Sequence, residues 1–247
     1  MDKKNIWFIT PKTNLHVGNE NTSSYGLIDL AIQRNATTNL PCINSSSLKG
    51  AINEFAANSN KDFDLLNIFG SDKTDKSKGS QKGLYTFFDA NILFIPVQDK
   101  ENLYHLATND EVSNRFIDFM KLLGVVDSNY TLDNLKNDIH NCGVIDEKRF
   151  NDIEWNANMK DLCSDDNLPI IARNVLENGE GKNLWYEQVL PAETILYTAI
   201  DNKSDNNNSL FNELSKSLVQ IGAGATIGYG YCKFTNLKKS TDEQNQK

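Results

Sequence analysis

The chain has 247 residues and a formal net charge of −8, from 25 basic and 33 acidic side chains. This length suits one large domain, and the acidic balance argues against a uniformly basic nucleic-acid coat while leaving room for a local basic groove. No apolar run approaches the ~18–20 residues that span a bilayer, and no signal-peptide core is visible. Four scattered cysteines without a CxxC pair favour a reducing compartment, so we expect a cytoplasmic protein without a membrane partner.

In the first half of the chain, apolar runs and alternation predict strands at residues 4–10, 27–33 and 86–97. A long polar connection follows the first strand as far as residue 25. Ser46 or Ser47 is the predicted N-cap of a helix that continues to residue 56. Residues 71–82 lack apolar side chains, which predicts a flexible loop.

The second half begins with a predicted helix from Asp110 to a stop at Gly124, and residues 128–167 are expected to be a polar, irregular insertion. A turn cluster around residues 177–181 predicts a protruding hairpin. The remaining predicted elements are strands at 168–173, 184–186, 193–200 and 229–234, a helix over 210–221, and loops at 202–208 and 222–230. This order predicts an α+β fold with a ferredoxin-like βαββαβ core, in one domain over residues 1–237, with a polar tail at 238–247.

The loop Gly222-Ala-Gly-Ala-Thr-Ile-Gly-Tyr-Gly230 lies between a predicted helix and a predicted strand. A dinucleotide fingerprint needs the opposite order and a glycine where Ile227 stands, and a P-loop needs a terminal Lys-Ser/Thr pair. Two interpretations remain open: a tight turn that serves packing, or backbone N–H groups that approach a phosphate.

Polar residues elsewhere are also candidates for chemistry. Ser45-Ser46-Ser47 and Lys49 at a helix start form either an anion site or an ordinary cap beside a solvated lysine. Asp29 on a loop near Arg34 is either a turn residue or a group that binds a divalent ion or orients a nucleophile. A zinc site lacks a fourth ligand at the usual spacing; its three possible ligands are His140, Cys142 and Cys163.

Several segments, in order along the chain, resemble the RAMP superfamily, and more narrowly the backbone subunits of type III-B CRISPR effectors (Cmr subunit four, in the Cas-seven group). The segments are Thr13-Asn-Leu-His-Val-Gly18, Tyr25-Gly-Leu-Ile-Asp-Leu-Ala-Ile-Gln-Arg34, Leu40-Pro-Cys-Ile-Asn-Ser-Ser-Ser-Leu-Lys-Gly-Ala51, Phe87-Phe-Asp-Ala90, Leu184-Trp-Tyr-Glu-Gln-Val-Leu-Pro-Ala-Glu-Thr194 and Leu218-Val-Gln-Ile-Gly-Ala-Gly-Ala-Thr-Ile-Gly-Tyr-Gly230.

The resemblance implies an RRM-like palm with a thumb hairpin at about residues 171–185. Copies of the subunit would stack head to tail along the CRISPR guide RNA (crRNA), together with other Cmr subunits. The thumb would interrupt the guide–target duplex, and each subunit would cut the target RNA once in a metal-dependent reaction that serves antiviral defence.

The resemblance aligns Asp29 with the family's catalytic aspartate, which would hold Mg²⁺ or another divalent cation transiently with target RNA, and His16 with its loop histidine, a base or a phosphate contact. We expect RNA contacts to be directed at the backbone, because one subunit must accept any guide. The expected RNA-binding residues are Arg34, Ser45, Ser46, Ser47, Lys49, Arg173, Leu184, Trp185, Gly222, Gly224, Gly228 and Gly230.

Three other functions are compatible with these motifs. The first is a filament subunit that binds crRNA but does not cut. The second is the corresponding backbone subunit of a type III-A (Csm) effector. The third is a nuclease of the same superfamily that processes repeat RNA and acts alone.

Overall fold

The computed structural model describes residues 5–18, 28–71, 81–177, 180–203 and 209–238. The predicted loops at 71–82 and 202–208, the tail at 238–247 and the second half of the connection after the first strand lie largely outside these residues. The strands are β1 (Ile6–Pro11), β2 (Cys42–Ile43), β3 (Tyr85–Phe87), β4 (Ala90–Gln98), β5 (Tyr104–Ala107), β6 (Ile170–Glu177), β7 (Glu180–Gln188), β8 (Ile195–Asn202), β9 (Leu218–Gln220) and β10 (Tyr231–Asn236). The helices are α1 (Ser45–Asn58), α2 (Leu65–Phe69), α3 (Asp110–Leu122), α4 (Leu132–Cys142), α5 (Glu147–Asn151), α6 (Met159–Leu162) and α7 (Ser209–Lys216).

The chain forms a mixed α/β fold around an antiparallel sheet in the order β2-β4-β8-β1-β10-β9, with β3 paired to β8 and β5 to β4. Strand β1 lies in the middle, so that Phe8 is opposite Tyr197 on one side and Thr235 on the other. The strands β6 and β7 form a separate two-stranded sheet. The hairpin predicted here is therefore present, and it is longer than the predicted 171–185.

Helices cover both faces of the central strand. Successive residues of a strand point to opposite faces, and Trp7 packs on Phe211 of α7 with ring centroids 5.3 Å apart, whereas Phe8 packs on Phe116 of α3 at 5.8 Å. All six residues of β1 are buried. This two-sided burial explains why the first strand has a continuous apolar run instead of an alternating pattern.

The long helices form where their apolar residues share one face. In α1 the buried residues Leu48, Ile52 and Ala56 recur every four positions. Helix α3 begins after Asn109, whose side chain accepts the Val112 N–H, and it ends close to the predicted stop. The prediction for α3 is confirmed.

We expected the segment at 128–167 to be irregular. This expectation is wrong, because the segment contains the helices α4, α5 and α6. A capping box at Thr131 and Asn134 starts α4, and its residues Leu135, Ile139 and Cys142 are buried. Trp155 contacts Phe94 of the sheet with ring centroids 5.8 Å apart. The polar composition concealed these helices, because α4 buries one narrow face, α6 buries only Met159 and α5 has no buried residue.

Two other element boundaries differ from the prediction. The helix expected over 210–221 ends at Lys216, because Leu218–Gln220 pairs with β10 and buries Val219 completely. The strand expected over 86–97 is divided into β3 and β4. Pro96 does not end the second of these, since β4 continues to Gln98 and pairs with β5. Pairing with the next strand along the chain overrides the local signal in both places.

Candidate functional site

Asp29 lies against the base of the β6–β7 hairpin. Its backbone N–H donates to the Tyr186 carbonyl at 3.0 Å, and the Tyr186 N–H donates to Asp29 Oδ2 at 2.7 Å. The side chain is exposed, and no partner for Oδ1 is found among the described residues. Asp29 is therefore an accessible carboxylate held by reciprocal bonds at a fixed place on β7.

His16 is buried beside the same strand, with 3% of its surface exposed. Its Nδ1 lies 2.7 Å from the Gln188 carbonyl oxygen and 3.5 Å from Glu187 Oε1. A carbonyl oxygen can only accept a hydrogen bond, so this contact requires the hydrogen on Nδ1. Because His16 is buried, its position suits holding its loop against the hairpin. This position differs from the catalytic base or phosphate contact that we expected.

The structure brings Asp29 and His16 to neighbouring positions of one strand. Asp29 bonds to Tyr186 and His16 bonds to Gln188, two residues further along β7. Two residues of a strand span roughly 6.6 Å. The two motif residues, 13 positions apart in sequence, thus converge on the hairpin base.

The glycine loop packs against the loop that carries His16. The Ala223 N–H donates to the His16 carbonyl at 2.9 Å, and the Gly230 N–H donates to the Asn14 carbonyl at 2.9 Å. Gly222 has φ +80, and a Cβ there would lie 2.1 Å from the His16 oxygen. Packing therefore accounts for Gly222 and Gly230, whereas Gly224 and Gly228 flank a short exposed 3₁₀ turn at Ala225–Ile227 and remain candidates for phosphate contacts.

The start of α1 differs from the prediction. The N-cap is Asn44, and Ser45 is the first helical residue. The Asp89 carboxylate accepts the Ser45 N–H at 2.6 Å, so an internal anion already complements this helix terminus. Ser47 accepts a hydrogen bond from Gln33 at 3.0 Å. The anion site expected at Ser45–Ser47 therefore has a carboxylate beside it.

The cations of the predicted site have different surroundings. Arg34 is engaged inside the protein, where it donates to Asp165 Oδ1 at 2.7 Å, to the Cys163 carbonyl at 2.8 Å and to the Asn39 carbonyl at 2.9 Å. These contacts support a structural role for Arg34 rather than the RNA contact that we predicted. Lys49 is half-buried and forms no ion pair within the described part of the chain.

Arg173 joins the hairpin to the glycine loop. Its Nε donates to Glu187 Oε2 at 3.0 Å, and its guanidinium lies 4.6 Å from the centre of the Tyr229 ring. The Nη2 atom is buried, and none of the described residues forms a hydrogen bond with it. Arg173 therefore stabilises a buried carboxylate and a neighbouring aromatic ring at the hairpin base.

The hairpin has two faces of different character. In the antiparallel register Arg173 is opposite Trp185, and Asn174 is opposite Leu184. Leu184 and Trp185 are consecutive residues of a strand and therefore lie on opposite faces. They cannot fill one gap in the RNA duplex together, which corrects our expectation. The outer face carries Leu184 (56% exposed) and Tyr186 (38% exposed). Sequence analysis missed Tyr186, although an aromatic residue one position after Trp185 in a strand signals the opposite face.

A single carboxylate is a sparse metal site. Among the described residues, no group of three or more histidine, cysteine, aspartate or glutamate side chains could hold an ion. Mg²⁺, however, commonly binds through one or two carboxylates together with substrate phosphates and water. The exposed Asp29 fits that use, in which RNA completes the ligand set.

The three residues considered for zinc have other contacts. His140 is exposed and packs on Phe150 with ring centroids 4.8 Å apart. Burial raises the pKa of the Cys142 thiol to about 11 and that of the Cys163 thiol to about 12. Zinc binds the thiolate form, so these environments disfavour it.

No helix in the described ranges combines the length and apolar character needed to cross a membrane.

Comparisons with known proteins identify the family of this chain. The family model of the RAMP superfamily matches residues 8–233. A Pyrococcus furiosus protein named "CRISPR system Cmr endoribonuclease Cmr4" is 28% identical, and the match covers 88% of this chain and 90% of that protein.

Solved structures share the fold. A chain of a type III-B Cmr-beta complex bound to cognate target RNA has a TM-score of 0.74 at 20% identity, with 96% of this chain and 98% of that chain covered. Oligomeric Cmr4 from Pyrococcus furiosus has a TM-score of 0.67 at 20% identity, with 94% and 98% covered. Since the family model spans nearly the whole described sheet and the hairpin, this chain belongs to the RAMP superfamily.

Proposed function

We propose that this protein is a backbone subunit of a type III-B CRISPR RNA-guided effector complex. It binds crRNA as a helical filament with copies of itself and other Cmr subunits, and it cleaves complementary target RNA at regular intervals as a metal-dependent endoribonuclease in antiviral defence. The observation that carries the proposal is the exposed Asp29 carboxylate, held by the Tyr186 N–H at the base of the hairpin. The named endoribonuclease relative supports the activity.

We also propose a ferredoxin-like, RRM-like palm with a thumb, in one domain over residues 1–237 that includes the insertion at about 128–167. The strand order β4-β8-β1-β10 supports the palm, because β1 leads into α1 and β8 leads into α7. The separate β6–β7 sheet, with its exposed outer face, supports the thumb. A guide-RNA function and four buried free cysteines support a cytoplasmic location.

In the proposed mechanism the hairpin distorts the target strand. Cleavage needs the attacking and leaving oxygens in line, and an A-form duplex resists that geometry. Displacing a base costs about a few kcal/mol, which contacts with Leu184 and Tyr186 on the outer face would offset, since an aromatic ring stacks on any base.

Asp29 then stands next to the distorted linkage and serves as the protein ligand of a divalent cation. Such a cation, when bound, polarises the phosphate and stabilises the charge that develops on it. Metal binding suits Asp29, because its exposed carboxylate has an oxygen with no partner among the described residues, and carboxylate oxygens are ligands that Mg²⁺ prefers. Buried His16 holds the loop against Gln188.

Guide binding follows from backbone contacts. Lys49 and the exposed turn between Gly224 and Gly228 offer a cation and N–H groups without reading sequence. The glycine loop lies beside the hairpin base through the Arg173–Tyr229 contact. One subunit can therefore accept any guide while most acidic residues face solvent.

The test is cleavage by the reconstituted complex with crRNA, labelled target RNA and Mg²⁺. We expect the wild type to give products of regularly stepped length, and Asp29→Asn to lower the cleavage rate by about 100-fold or more with target binding retained. Asp118→Asn is the matched control, because Asp118 is an exposed aspartate on α3.

Two results would contradict this proposal. Tight target binding by the wild type without any cleavage would favour the filament subunit that does not cut. Specific cleavage of repeat RNA by the isolated subunit would favour the processing nuclease.

A further inference from the structure

Gln188, the last residue of β7, is completely buried and forms four hydrogen bonds with three parts of the chain. Its backbone N–H donates to the Leu30 carbonyl at 2.9 Å, and its carbonyl accepts from His16 Nδ1 at 2.7 Å. Its side-chain Oε1 accepts the Ile32 N–H at 3.4 Å, and Nε2 donates to Asp165 Oδ1 at 3.0 Å. One residue thus joins the His16 loop, the Asp29 segment and the end of the helical region.

The side-chain amide of Gln188 fits its two partners in one orientation only. Oε1 faces a backbone donor, and Nε2 faces a carboxylate. A buried polar group without a partner is costly, so this pairing determines where the side chain and the adjoining segment lie. The segment that follows Asp29 is fastened at Leu30 and again at Ile32.

Asp165 connects Gln188 to the helical region at 128–168, which contains α4, α5 and α6. The same Oδ1 atom that accepts from Gln188 accepts from Arg34 Nη2 at 2.7 Å, and Arg34 also bonds to the Cys163 carbonyl. Asp165 lies three residues after the end of α6. Two residues shortly before it in sequence, Met159 and Cys163, are buried and hold this end of the helical region in the core. The helical region therefore contacts the Gln188 side chain through the Asp165 carboxylate.

We propose that Gln188 is a positioning residue for RNA cleavage, and that the helical region at 128–168 serves the site by orienting Gln188 through Asp165. The inference rests on the proposed function, because it assigns Gln188 the task of holding the Asp29 segment against β7. Gln188 itself is buried and does not touch RNA. It acts through the hydrogen bonds that fix Leu30, Ile32 and His16.

The test exchanges the polarity of the Gln188–Asp165 contact. Gln188→Glu sets a second carboxylate against Asp165, and we expect the single-turnover cleavage rate to fall about 10- to 100-fold, because a misplacement of about 1 Å has that effect. Target RNA affinity should stay within about threefold of wild type. Gln98→Glu is the matched control, since Gln98 also ends a strand but is exposed.

The double variant Gln188→Glu with Asp165→Asn replaces two facing carboxylates by an amide that donates and a carboxylate that accepts, while Arg34 keeps its contacts with the Asn39 and Cys163 carbonyls. We expect this variant to recover most of the cleavage rate. Thermal unfolding and complex assembly are measured for each variant, so that a chain that fails to fold is recognised, and recovery in the double variant then still tests the contact.

The outcomes separate this inference from the proposed function. If Asp29→Asn cleaves like the wild type, the proposed function fails. If Asp29→Asn is inactive while Gln188→Glu cleaves at the wild-type rate, the inference is overturned. It is also overturned if a folded Gln188→Glu loses target affinity in step with cleavage, or if the double variant recovers nothing.

Discussion

At the scale of single residues, two glycines of the same loop share a backbone conformation but differ in the space around them. Gly222 and Gly228 both have φ +80. A Cβ at Gly222 would lie 2.1 Å from the His16 carbonyl oxygen, whereas a Cβ at Gly228 would meet no atom within 4 Å. Both positions disfavour an L side chain, but only Gly222 also lacks space for one.

We predict that Gly222→Ala destabilises the fold far more than Gly228→Ala. Both variants have a conformational strain of about 1–2 kcal/mol, because alanine disfavours a positive φ. In Gly222→Ala the Cβ also clashes with the His16 carbonyl and displaces the loop, so the free energy of unfolding falls by about 3–5 kcal/mol in total. Urea unfolding of both variants measures the difference. Equal free energies of unfolding would contradict the packing role of Gly222.

At the scale of elements, the hairpin divides its residues between stability and function. Its inner face carries Arg173, Trp185 and the buried carboxylate of Glu187, which pairs with Arg173 at 3.0 Å. Its outer face carries Leu184 and Tyr186, both exposed. The backbone of Tyr186 holds Asp29, so the outer face and the carboxylate share one position on β7.

We predict that Leu184→Ala and Trp185→Ala have opposite profiles. Leu184→Ala should change the free energy of unfolding by less than ~0.5 kcal/mol, because the side chain is mostly exposed, and should lower the cleavage rate. Trp185→Ala should lower the free energy of unfolding more, by about 1 kcal/mol, because this large side chain is half-buried. Denaturant unfolding and single-turnover cleavage of both variants check this division. A reversed pattern would mean that the faces were assigned wrongly.

At the scale of the whole molecule, helices on both faces of the sheet leave the four cysteine thiols buried, and burial is the largest influence on their pKa. Burial raises the pKa of the Cys42 thiol from its usual 9.0 to about 11, and similar burial acts on Cys142 and Cys163. Between the usual and the raised pKa, the unfolded chain loses a proton that the folded chain keeps. The unfolded state is therefore favoured as the pH rises.

We predict that stability is constant from pH 7 to about 8.5 and falls steeply from about pH 9 to 11, at up to ~1.4 kcal/mol per pH unit for each buried thiol. Urea unfolding under reducing conditions at several pH values measures the slope. Cys163→Ala should flatten the slope in this range, although it lowers stability at pH 7. A stability that stays level up to pH 10.5 would contradict the prediction.

Local patterns in the sequence predicted the strands β1 and β10, the helices α1 and α3, the hairpin and the motif that carries Asp29. Each of these depends on residues close together in the chain, such as the four-residue spacing of Leu48, Ile52 and Ala56 in α1. The helices α4 to α6 were missed, because α4 has one narrow buried face with a weak periodic signal, and α5 and α6 are too short to show a period.

The sequence alone determined the order of the core elements β1, α1, β4, β8, α7 and β10 and the family resemblance, and it predicted a role for Asp29, since these depend on local composition and spacing. Only the tertiary structure decided that His16 is buried, that Asp89 stands at the start of α1 and that Gln188 joins three segments. The partners in these contacts lie far apart in sequence: 172 positions separate His16 from Gln188, and 44 separate Ser45 from Asp89. Such pairs meet only when the sheet assembles, so no local pattern encodes them.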